Sequence, residues 1–344
     1  MPREFESFVD HVRAQVERGL CTWLEVRVTE ARARGADIGR VADAVRQLTL
    51  RGGKRLRPAL LAAAYEACSG EGGSAPVTLA GMALELLQTY LLAHDDWMDG
   101  DALRRGGPSL PAMMRASFSG AQADAMSVLA GDLASAWSHR ALFEMALPPD
   151  RVLLASREFA RVEEDVVEGQ VLDVLGCSGD GPAVETMHSL KTASYTVRGP
   201  LTMGARLAGA SDAQVSSLEA FGEPLGIAFQ LRDDVLGVFG QVGATGKPAG
   251  NDLRAGKRSA VTVDALAAGL SADLVPVLGR ASASDDDVQR VVQRLEARGV
   301  RARIEARIEV LVRDAHAALE RASLTATGRA LLADAIHILT QRRN

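Results

Sequence analysis

The main feature of the chain is a series of stretches in which apolar residues recur every three or four positions, separated by breaks rich in glycine, proline and serine. Leu84, Leu87 and Leu91 belong to one such stretch, and others cover 152–174 and 218–239. This spacing places the apolar side chains on one face of an α-helix. Aromatic residues make up only 4% of the chain while alanine and leucine are abundant, which favours helices over strands. We therefore predict an all-α protein.

The breaks between the helical stretches include one at 104–111, a longer one at 240–257 and a polar one at 281–287, and none is a convincing interdomain linker. The 344 residues exceed the usual size of one domain, yet a helical fold of this length can close around a single core. The tail, which includes RARIEARIEVLVRDAHAALERA, is typical of amphipathic helices. We predict a single domain over 1–344.

The net charge of −5 argues against a global positive field for nucleic acid or an anionic membrane. No apolar run approaches the roughly 20 residues that span a bilayer, and the N-terminus lacks the apolar stretch of a signal peptide. The cysteines, Cys21, Cys68 and Cys177, show no zinc-ligand spacing and fit a reducing compartment. We expect a cytoplasmic protein without a transmembrane segment.

Two acidic clusters, about 140 residues apart, each follow an apolar helical run. The first, HDDWMDGD, contributes Asp95, Asp96 and Asp99, and the second, FQLRDD, contributes Asp233 and Asp234. Carboxylates one helical turn apart repel each other unless a cation neutralises them. Mg²⁺ suits such ligands because it keeps several waters and is often completed by substrate phosphates. The alternative is that each cluster is only a solvated helix end, which is less consistent with two clusters in similar settings.

Basic, glycine-containing loops accompany the acidic clusters. They are GGKRLRP at 52–58, RRGGP at 104–108, GKP at 246–248 and NDLRAGKR at 251–258. Arginine can bind phosphate bidentately, lysine supplies a compact charge, and glycine lets the backbone approach closely. Any one of these loops could be a solvated surface loop. Together, in an acidic protein, they indicate a site for polyanionic phosphate compounds.

The motifs GGKRLRP, DDWMD followed by RRGGP, EGQVLDV, KTASY, FQLRDD and GKPAGNDLRAGKRS occur in one order. In this respect the chain resembles the trans-isoprenyl diphosphate synthases, or polyprenyl synthetases. The resemblance covers a catalytic core of about 47–261, with a weaker C-terminal helical region of about 262–344. It implies an isoprenoid-synthase-type helical bundle around a central cavity, and a homodimer. The implied reaction is the Mg²⁺-dependent head-to-tail condensation of isopentenyl diphosphate with an allylic diphosphate.

The resemblance also assigns roles to individual residues. The implied metal ligands are Asp95, Asp96, Asp99, Asp233 and Asp234. The implied ligands of isopentenyl diphosphate are Lys54, Arg57 and Arg105. The residues implied around the allylic diphosphate are Arg104, Lys191, Thr192, Gln230, Lys247 and Lys257. Those expected to act most directly in catalysis are Asp95, Asp96, Asp99, Arg104, Lys191, Asp233 and Lys247.

The chain departs from the family pattern at two positions. Gln88 stands where the family commonly has histidine, and its amide can still donate to a phosphate oxygen. Gly237 stands where the second acidic motif usually has a third aspartate. We expect altered substrate binding from the first departure and the loss of one ligand or water anchor from the second, with catalysis retained.

The size of the product is a further expectation from the resemblance. Tyr90, five residues before Asp95, occupies the position that often closes the product tunnel, and the first motif lacks the two-residue insertion of typical bacterial farnesyl synthases. This combination goes with C20, geranylgeranyl, products. A helical wheel instead places Leu91 nearer the face of Asp95, so Tyr90 could equally be a core residue.

Other functions stay open at this stage. They are a farnesyl or longer-chain synthase, a terpene cyclase, and a non-catalytic partner subunit. For His94 we favour a local hydrogen bond over a role as general base.

Overall fold

The computed structural model describes residues 3–69, 75–176, 181–240 and 250–341. These residues are almost entirely helical, and the all-α prediction is confirmed. A two-stranded antiparallel hairpin pairs Leu103 with Pro108 and Arg104 with Gly107.

The elements of the first half are α1 (Arg3–Arg34), α2 (Ala36–Leu50), α3 (Leu56–Ser69), a 3₁₀ turn (Ala75–Val77), α4 (Thr78–Asp99), β1 (Leu103–Arg104), β2 (Gly107–Pro108), α5 (Leu110–Ser117), α6 (Gly120–Phe143) and α7 (Pro149–Leu175). Those of the second half are α8 (Gly181–His188), a π-helical segment (Ser189–Arg198), α9 (Gly199–Ala208), α10 (Asp212–Phe239), α11 (Asn251–Arg254), α12 (Ala260–Ala267), α13 (Ser271–Leu274), α14 (Asp285–Ala297), α15 (Val300–Arg321) and α16 (Ala326–Thr340).

Local side-chain chemistry sets several helix starts. Ser211 accepts a hydrogen bond from the amide of Gln214, whose side chain in turn accepts one from the Ser211 amide. This capping box satisfies amides that the first turn of α10 leaves without helical partners. Ser284 caps α14 in a similar way, within the break predicted at 281–287.

The backbone divides into two compact units. The N-terminal unit comprises 3–156 with 203–210, and the C-terminal unit comprises 157–202 with 211–344. The first acidic motif lies in the N-terminal unit, and the second lies in the C-terminal unit. The single-domain assignment remains a prediction.

Helix α4 is a core helix of the N-terminal unit and carries the first acidic motif at its end. The stretch Ala75–Asp99 is long and apolar enough to cross a membrane, so the expectation that no apolar run reaches that length was wrong. However, 56% of its apolar window is buried inside the fold. Such burial is typical of a core helix, because the apolar faces are already covered by protein.

The C-terminal unit packs around α10, whose end carries the second acidic motif. Its core includes Val238, Leu253, Val261 and Leu295, all fully buried. Arg232, directly before Asp233, makes two hydrogen bonds of 2.6 Å to the carboxylate of Glu305 on α15. The same guanidinium donates to the carbonyl oxygen of Thr340 at 2.8 Å. These contacts fix the end of α10 against α15 and α16.

Cys68, near the end of α3, is expected to alkylate slowly in the folded protein. Burial raises the pKa of its thiol to about 11, so only about one thiol in a thousand is ionised at pH 8. The rate of Cys68 alkylation, followed by peptide mass spectrometry, should rise about tenfold per pH unit up to about pH 11. The denatured protein serves as the control. A plateau near pH 9 would contradict this pKa. Cys21 is exposed and Cys68 is a free thiol, whereas Cys177 lies outside the described residues.

Candidate active site

The first acidic motif occupies the last turn of α4. Asp96 is completely buried, Asp95 is 27% exposed in its side chain, and Asp99 is exposed. Gly100, with φ of 71°, then ends the helix in the left-handed conformation that favours glycine. The motif therefore presents one carboxylate inside the fold and two with access to solvent.

Arg104 neutralises the buried carboxylate. Its Nε donates to Asp96 Oδ1 at 2.7 Å, and its Nη2 donates to the same oxygen and, at 3.0 Å, to Asp101 Oδ2. Burial raises the pKa of Asp96, because desolvation disfavours the carboxylate more than Arg104 stabilises it. The resemblance assigned Arg104 to the allylic diphosphate, whereas in this structure it is bound to the acidic motif.

The first motif has a donor set that fits Mg²⁺. Asp96 Oδ2 is buried, and no hydrogen-bond partner for it lies among the described residues. A buried carboxylate oxygen without a partner is costly unless a cation or water completes it. No three acidic, histidine or cysteine side chains of the described ranges converge into a complete metal cage. Mg²⁺ does not require one, since it is commonly held by one or two carboxylates, water and phosphate oxygens.

Two of the basic loops meet in the N-terminal unit. Arg105 Nη1 donates to the carbonyl oxygen of Gly52 at 2.6 Å, and its guanidinium lies against Gly53. Arg51, directly before the first of these loops, donates to two carbonyl oxygens of the hairpin, those of Pro108 and, at 3.3 Å, Arg104. The loop that carries Lys54 and the hairpin that carries Arg105 are thus joined by side-chain-to-backbone hydrogen bonds. The structure places Lys54 at the surface and Arg57 half-buried at the start of α3.

These loops also carry unusual backbone. Among the described non-glycine residues, only Arg55 and Arg105 have positive φ, at 48° and 52°. Arginine rarely adopts this left-handed conformation, and such strain often occurs at functional sites. Both residues belong to motifs that the sequence assigned to diphosphate binding.

The side chain of Arg55 is anchored inside the fold. It forms an ion pair with Glu85 of α4, with both side chains 1% exposed, and it donates to the carbonyl oxygen of Thr49 at 2.8 Å. The sequence reasoning missed this pair. The available signal was Glu85 itself, an acidic residue within the apolar run ALELLQ, where a buried charge needs a partner.

Residues one to two turns before the first motif occupy different faces of α4. The Tyr90 and His94 rings make an edge contact with centroids 4.7 Å apart, and His94 Nε2 lies 3.1 Å from the carbonyl oxygen of Val128 on α6. His94 thus hydrogen-bonds a residue of another helix rather than a neighbour in the chain, and its role remains a prediction. Gln88 and Leu91 are half-buried, and Leu91 precedes Asp95 by one turn, on the same face.

In the second motif, both carboxylate oxygens of Asp234 accept hydrogen bonds from other residues of the fold. Asp234 is 5% exposed, its Oδ2 accepts from the amide of Ala260 at 2.7 Å, and its Oδ1 accepts from Gln230 Nε2 at 2.8 Å. His188 Nε2 also lies 3.4 Å from Oδ2. An acceptor at the first amide of α12 satisfies a donor that the helix leaves free. Asp234 thus joins α10 to α12, while Asp233 is only half-buried.

The KTASY motif lies in the π-helical segment. Thr192 Oγ1 donates to Gln230 Oε1 at 2.9 Å, which extends the hydrogen-bond chain that reaches Asp234. Lys191 Nζ donates to Asp173 Oδ2 at 2.5 Å. The structure therefore brings together three of the predicted substrate-binding residues, and it adds Asp173 of the EGQVLDV motif, to which no role was given. π-helical turns are rare and are frequent at functional sites.

Two glycines allow neighbouring helices to approach this segment. A Cβ at Gly169 of α7 would lie 2.5 Å from the amide nitrogen of Lys191, and one at Gly226 of α10 would lie 2.5 Å from Ala193 Cα. Side chains at either position would collide with the backbone of the segment. The glycine in EGQVLDV is thus explained by close packing.

Two predicted lysines of the site are still to be placed. Lys257 is 61% exposed in its side chain, and its Nζ lies 3.9 Å from Asp252 Oδ1. Lys247 lies outside the described residues. The roles given to individual site residues in the sequence analysis remain predictions.

Comparison with known proteins decides the family. The model of the family described as "Polyprenyl synthetase" matches residues 39–295. The chain belongs to the polyprenyl synthetase family. Its relatives include a (2E,6E)-farnesyl diphosphate synthase of Mycobacterium bovis, 34% identical over 258 residues that cover 72% of this chain and 68% of the relative. A geranylgeranyl diphosphate synthase of Sulfolobus acidocaldarius is 34% identical over 235 residues, covering 67% and 68%.

A solved structure supports the same conclusion for the fold of this polyprenyl synthetase. A geranylgeranyl pyrophosphate synthase of Corynebacterium glutamicum, crystallised with isoprenyl diphosphate and magnesium, matches with a TM-score of 0.87 and 31% identity, covering 98% of this chain and 99% of that one. The predicted family, fold type and enzyme class, a prenyltransferase, are confirmed. Relatives of similar identity carry both farnesyl and geranylgeranyl names, so similarity leaves the product length open.

Proposed function

We propose that this polyprenyl synthetase condenses isopentenyl diphosphate head to tail with an allylic diphosphate, with Mg²⁺ as cofactor. One observation carries the proposal. In the N-terminal unit, two basic loops with left-handed arginines are joined by hydrogen bonds and accompany an acidic helix end. That helix end contains a buried carboxylate oxygen for which the described residues offer no hydrogen-bond partner. Positive groups that bind polyanions, together with a carboxylate suited to a cation, are what a metal–diphosphate substrate requires.

We assign metal binding and substrate binding to different residues of the chain. Asp95, Asp96 and Asp99 would hold Mg²⁺, which when bound withdraws charge from the diphosphate as it leaves. Lys54 and Arg105 would bind the diphosphate of isopentenyl diphosphate and aim its double bond at the allylic carbon.

Bond making and breaking then occur within the two substrates. The allylic C–O bond breaks, the double bond of isopentenyl diphosphate attacks the resulting cation, and the released diphosphate takes the proton that is lost. The condensation therefore needs no side-chain nucleophile. The contribution of the protein is orientation, and electrostatic stabilisation of the leaving group by cationic side chains such as Lys191.

The proposal is tested by product analysis. Purified protein is incubated with Mg²⁺, isopentenyl diphosphate and each allylic primer in turn, with EDTA as control. Chain extension that EDTA abolishes is the expected result. No extension with any primer, from folded protein, would contradict the proposal and favour a non-catalytic partner subunit.

For the product we propose geranylgeranyl diphosphate, with farnesyl and longer products as the alternatives. Tyr90→Ala is then expected to lengthen the product, because it removes the bulky ring that would close the tunnel. The measurement is the chain length of the dephosphorylated products. Leu91→Ala is the matched control, since it truncates the adjacent residue on the face of Asp95. An unchanged product from Tyr90→Ala combined with a longer one from Leu91→Ala would transfer the role to Leu91.

The proposal also includes a homodimer located in the cytoplasm. The homodimer follows from the family resemblance, and the location follows from three cysteines without zinc-ligand spacing, which fit a reducing compartment. Light scattering on the purified enzyme gives the mass that distinguishes one copy from two.

A further inference from the structure

The π-helical segment (Ser189–Arg198) is bound at both ends by one carboxylate, that of Glu223 on α10. Ser189 Oγ donates to Glu223 Oε1, and Arg198 Nη1 donates to Glu223 Oε2 at 2.6 Å. Ser189 and Arg198 are the first and last residues of the segment. A single side chain of α10 therefore joins the start of the segment to its end.

This contact depends on the π-helical register. Ser189 and Arg198 are nine residues apart, and nine residues make about 2.5 turns of an α-helix, which would place them on opposite faces. A π-helix has i→i+5 hydrogen bonds and more residues per turn, so the same nine residues make about two turns. The amide of Gly199 makes such a bond, to the carbonyl oxygen of Ser194. The wider turns bring both ends to one side, where one carboxylate reaches them.

The end of the segment lies close to α10 and is also bound by α7. A Cβ at Gly222, directly before Glu223, would lie 3.0 Å from Arg198 Cα. Arg198 Nη2 donates to Asp165 of α7, and the side chains of Arg198 and Asp165 are 15% and 18% exposed. Charge-assisted hydrogen bonds are stronger than neutral ones, and partial burial reduces their screening by salt. The guanidinium is thus fixed between the two helices.

The register decides the directions of Lys191 and Thr192. These neighbours reach different helices, because Lys191 Nζ donates to Asp173 of α7 at 2.5 Å and Thr192 Oγ1 donates to Gln230 of α10 at 2.9 Å. A change to α-helical turns would alter the rotation between successive residues, so the two side chains would turn away from these partners. Both residues are expected to bind the allylic diphosphate.

We propose that Glu223 is a positioning residue that keeps this segment in the π-helical register and so aims Lys191 and Thr192 at the allylic diphosphate. This inference rests on the proposed function. Glu223 acts through the segment and not by touching the substrate. Its loss should therefore affect the binding of one substrate more than that of the other.

The kinetic test compares two glutamates of α10. Glu219 lies one turn before Glu223, has a similarly exposed side chain (29% against 31%), and accepts from Arg161 of α7 at 2.9 Å. E223A should lower kcat/KM for the allylic primer by about 10- to 100-fold, mainly through KM, because a small misplacement of positioning groups can cost this much. The KM for isopentenyl diphosphate should stay near wild type. E219A, the matched control, should leave both KM values unchanged.

Hydrogen exchange followed by mass spectrometry reports on the register without any substrate. The amides of 189–198 should exchange faster in E223A than in wild type or E219A. S189A should show a smaller effect of the same kind, and no further effect in the E223A background, because its partner is already gone. If E223A fails to fold, E223Q replaces it. E223Q retains an acceptor for Ser189 and should show a smaller rise in the same KM.

Three results would overturn the inference. The first is wild-type kinetics and exchange in E223A, or in E223Q where it replaces E223A. The second is an equal effect of E219A and E223A, which would indicate general packing. The third is an added effect of S189A in the E223A background. A wild type that forms no product would overturn the proposed function and with it the role in substrate binding, while the exchange of 189–198 would still decide whether Glu223 fixes the register.

Discussion

Asp95→Ala is expected to lower turnover by at least about a hundred-fold while the helical content and the unfolding midpoint stay close to wild type. Each 1.36 kcal/mol of lost transition-state stabilisation lowers the rate tenfold, and a bound metal contributes several kcal/mol. The side chain of Asp95 is 27% exposed, so it is not part of the buried core. Its loss should therefore disturb chemistry more than folding. Initial rates, circular dichroism and thermal unfolding measure the two effects.

Two further variants make this prediction specific. Asp96→Ala should lose turnover and stability together, because it leaves Arg104 without the buried partner to which it donates. Asp37→Ala, at an exposed residue that pairs with Arg40, should change neither quantity. Normal turnover in Asp95→Ala would remove the metal assignment from the first motif.

The second large effect is expected at the buried pair of Arg55 and Glu85. Arg55→Met alone should destabilise the protein by about 3–5 kcal/mol, because it leaves the charge of Glu85 uncompensated inside the fold. Glu85→Leu alone should cost less, because Arg55 Nε keeps the carboxylate of Glu17 at 3.4 Å. Both side chains are 1% exposed, so water cannot solvate the remaining partner. Denaturant unfolding followed by circular dichroism measures the loss.

The double variant Arg55→Met/Glu85→Leu is the decisive control for this pair. Replacing both charges by apolar side chains is often neutral or stabilising, so most of the stability should return. Activity should not return fully, since Arg55 holds the strained loop that carries Lys54. We expect the double variant to show a higher KM for isopentenyl diphosphate with a smaller change in kcat. Single variants as stable as wild type would show that the pair contributes little.

The features that depend on near neighbours in the chain could be predicted from sequence. Helix formation follows from the spacing of apolar residues, and helix ends follow from caps such as Ser284 and Ser211. The acidic motifs were expected at or near the ends of apolar helices, and α4 ends at Asp99. The family followed from short motifs in a fixed order. The hairpin at 103–108 was read only as a break, because its two-residue strands give no periodic signal.

Burial separates aspartates that look equivalent in sequence. Asp95 and Asp96 are adjacent, yet only Asp96 is enclosed by the fold and bound by Arg104. Asp233 and Asp234 are adjacent too, yet Asp234 accepts a hydrogen bond from the first amide of α12, that of Ala260. Sequence spacing indicates which residues share a helix face, but not what another segment places against that face.

The sequence by itself determined the fold class, the family and the enzyme class, because these depend on composition, local periodicity and short motifs. Only the tertiary structure decided which residues distant in the chain become partners. Arg55 meets Glu85 thirty positions away, and Asp252 fills the place beside Gly237. Such pairs arise from the packing of helices whose contacts span many residues. For that reason the sequence alone did not reveal that the carboxylate of Asp252 lies against Gly237.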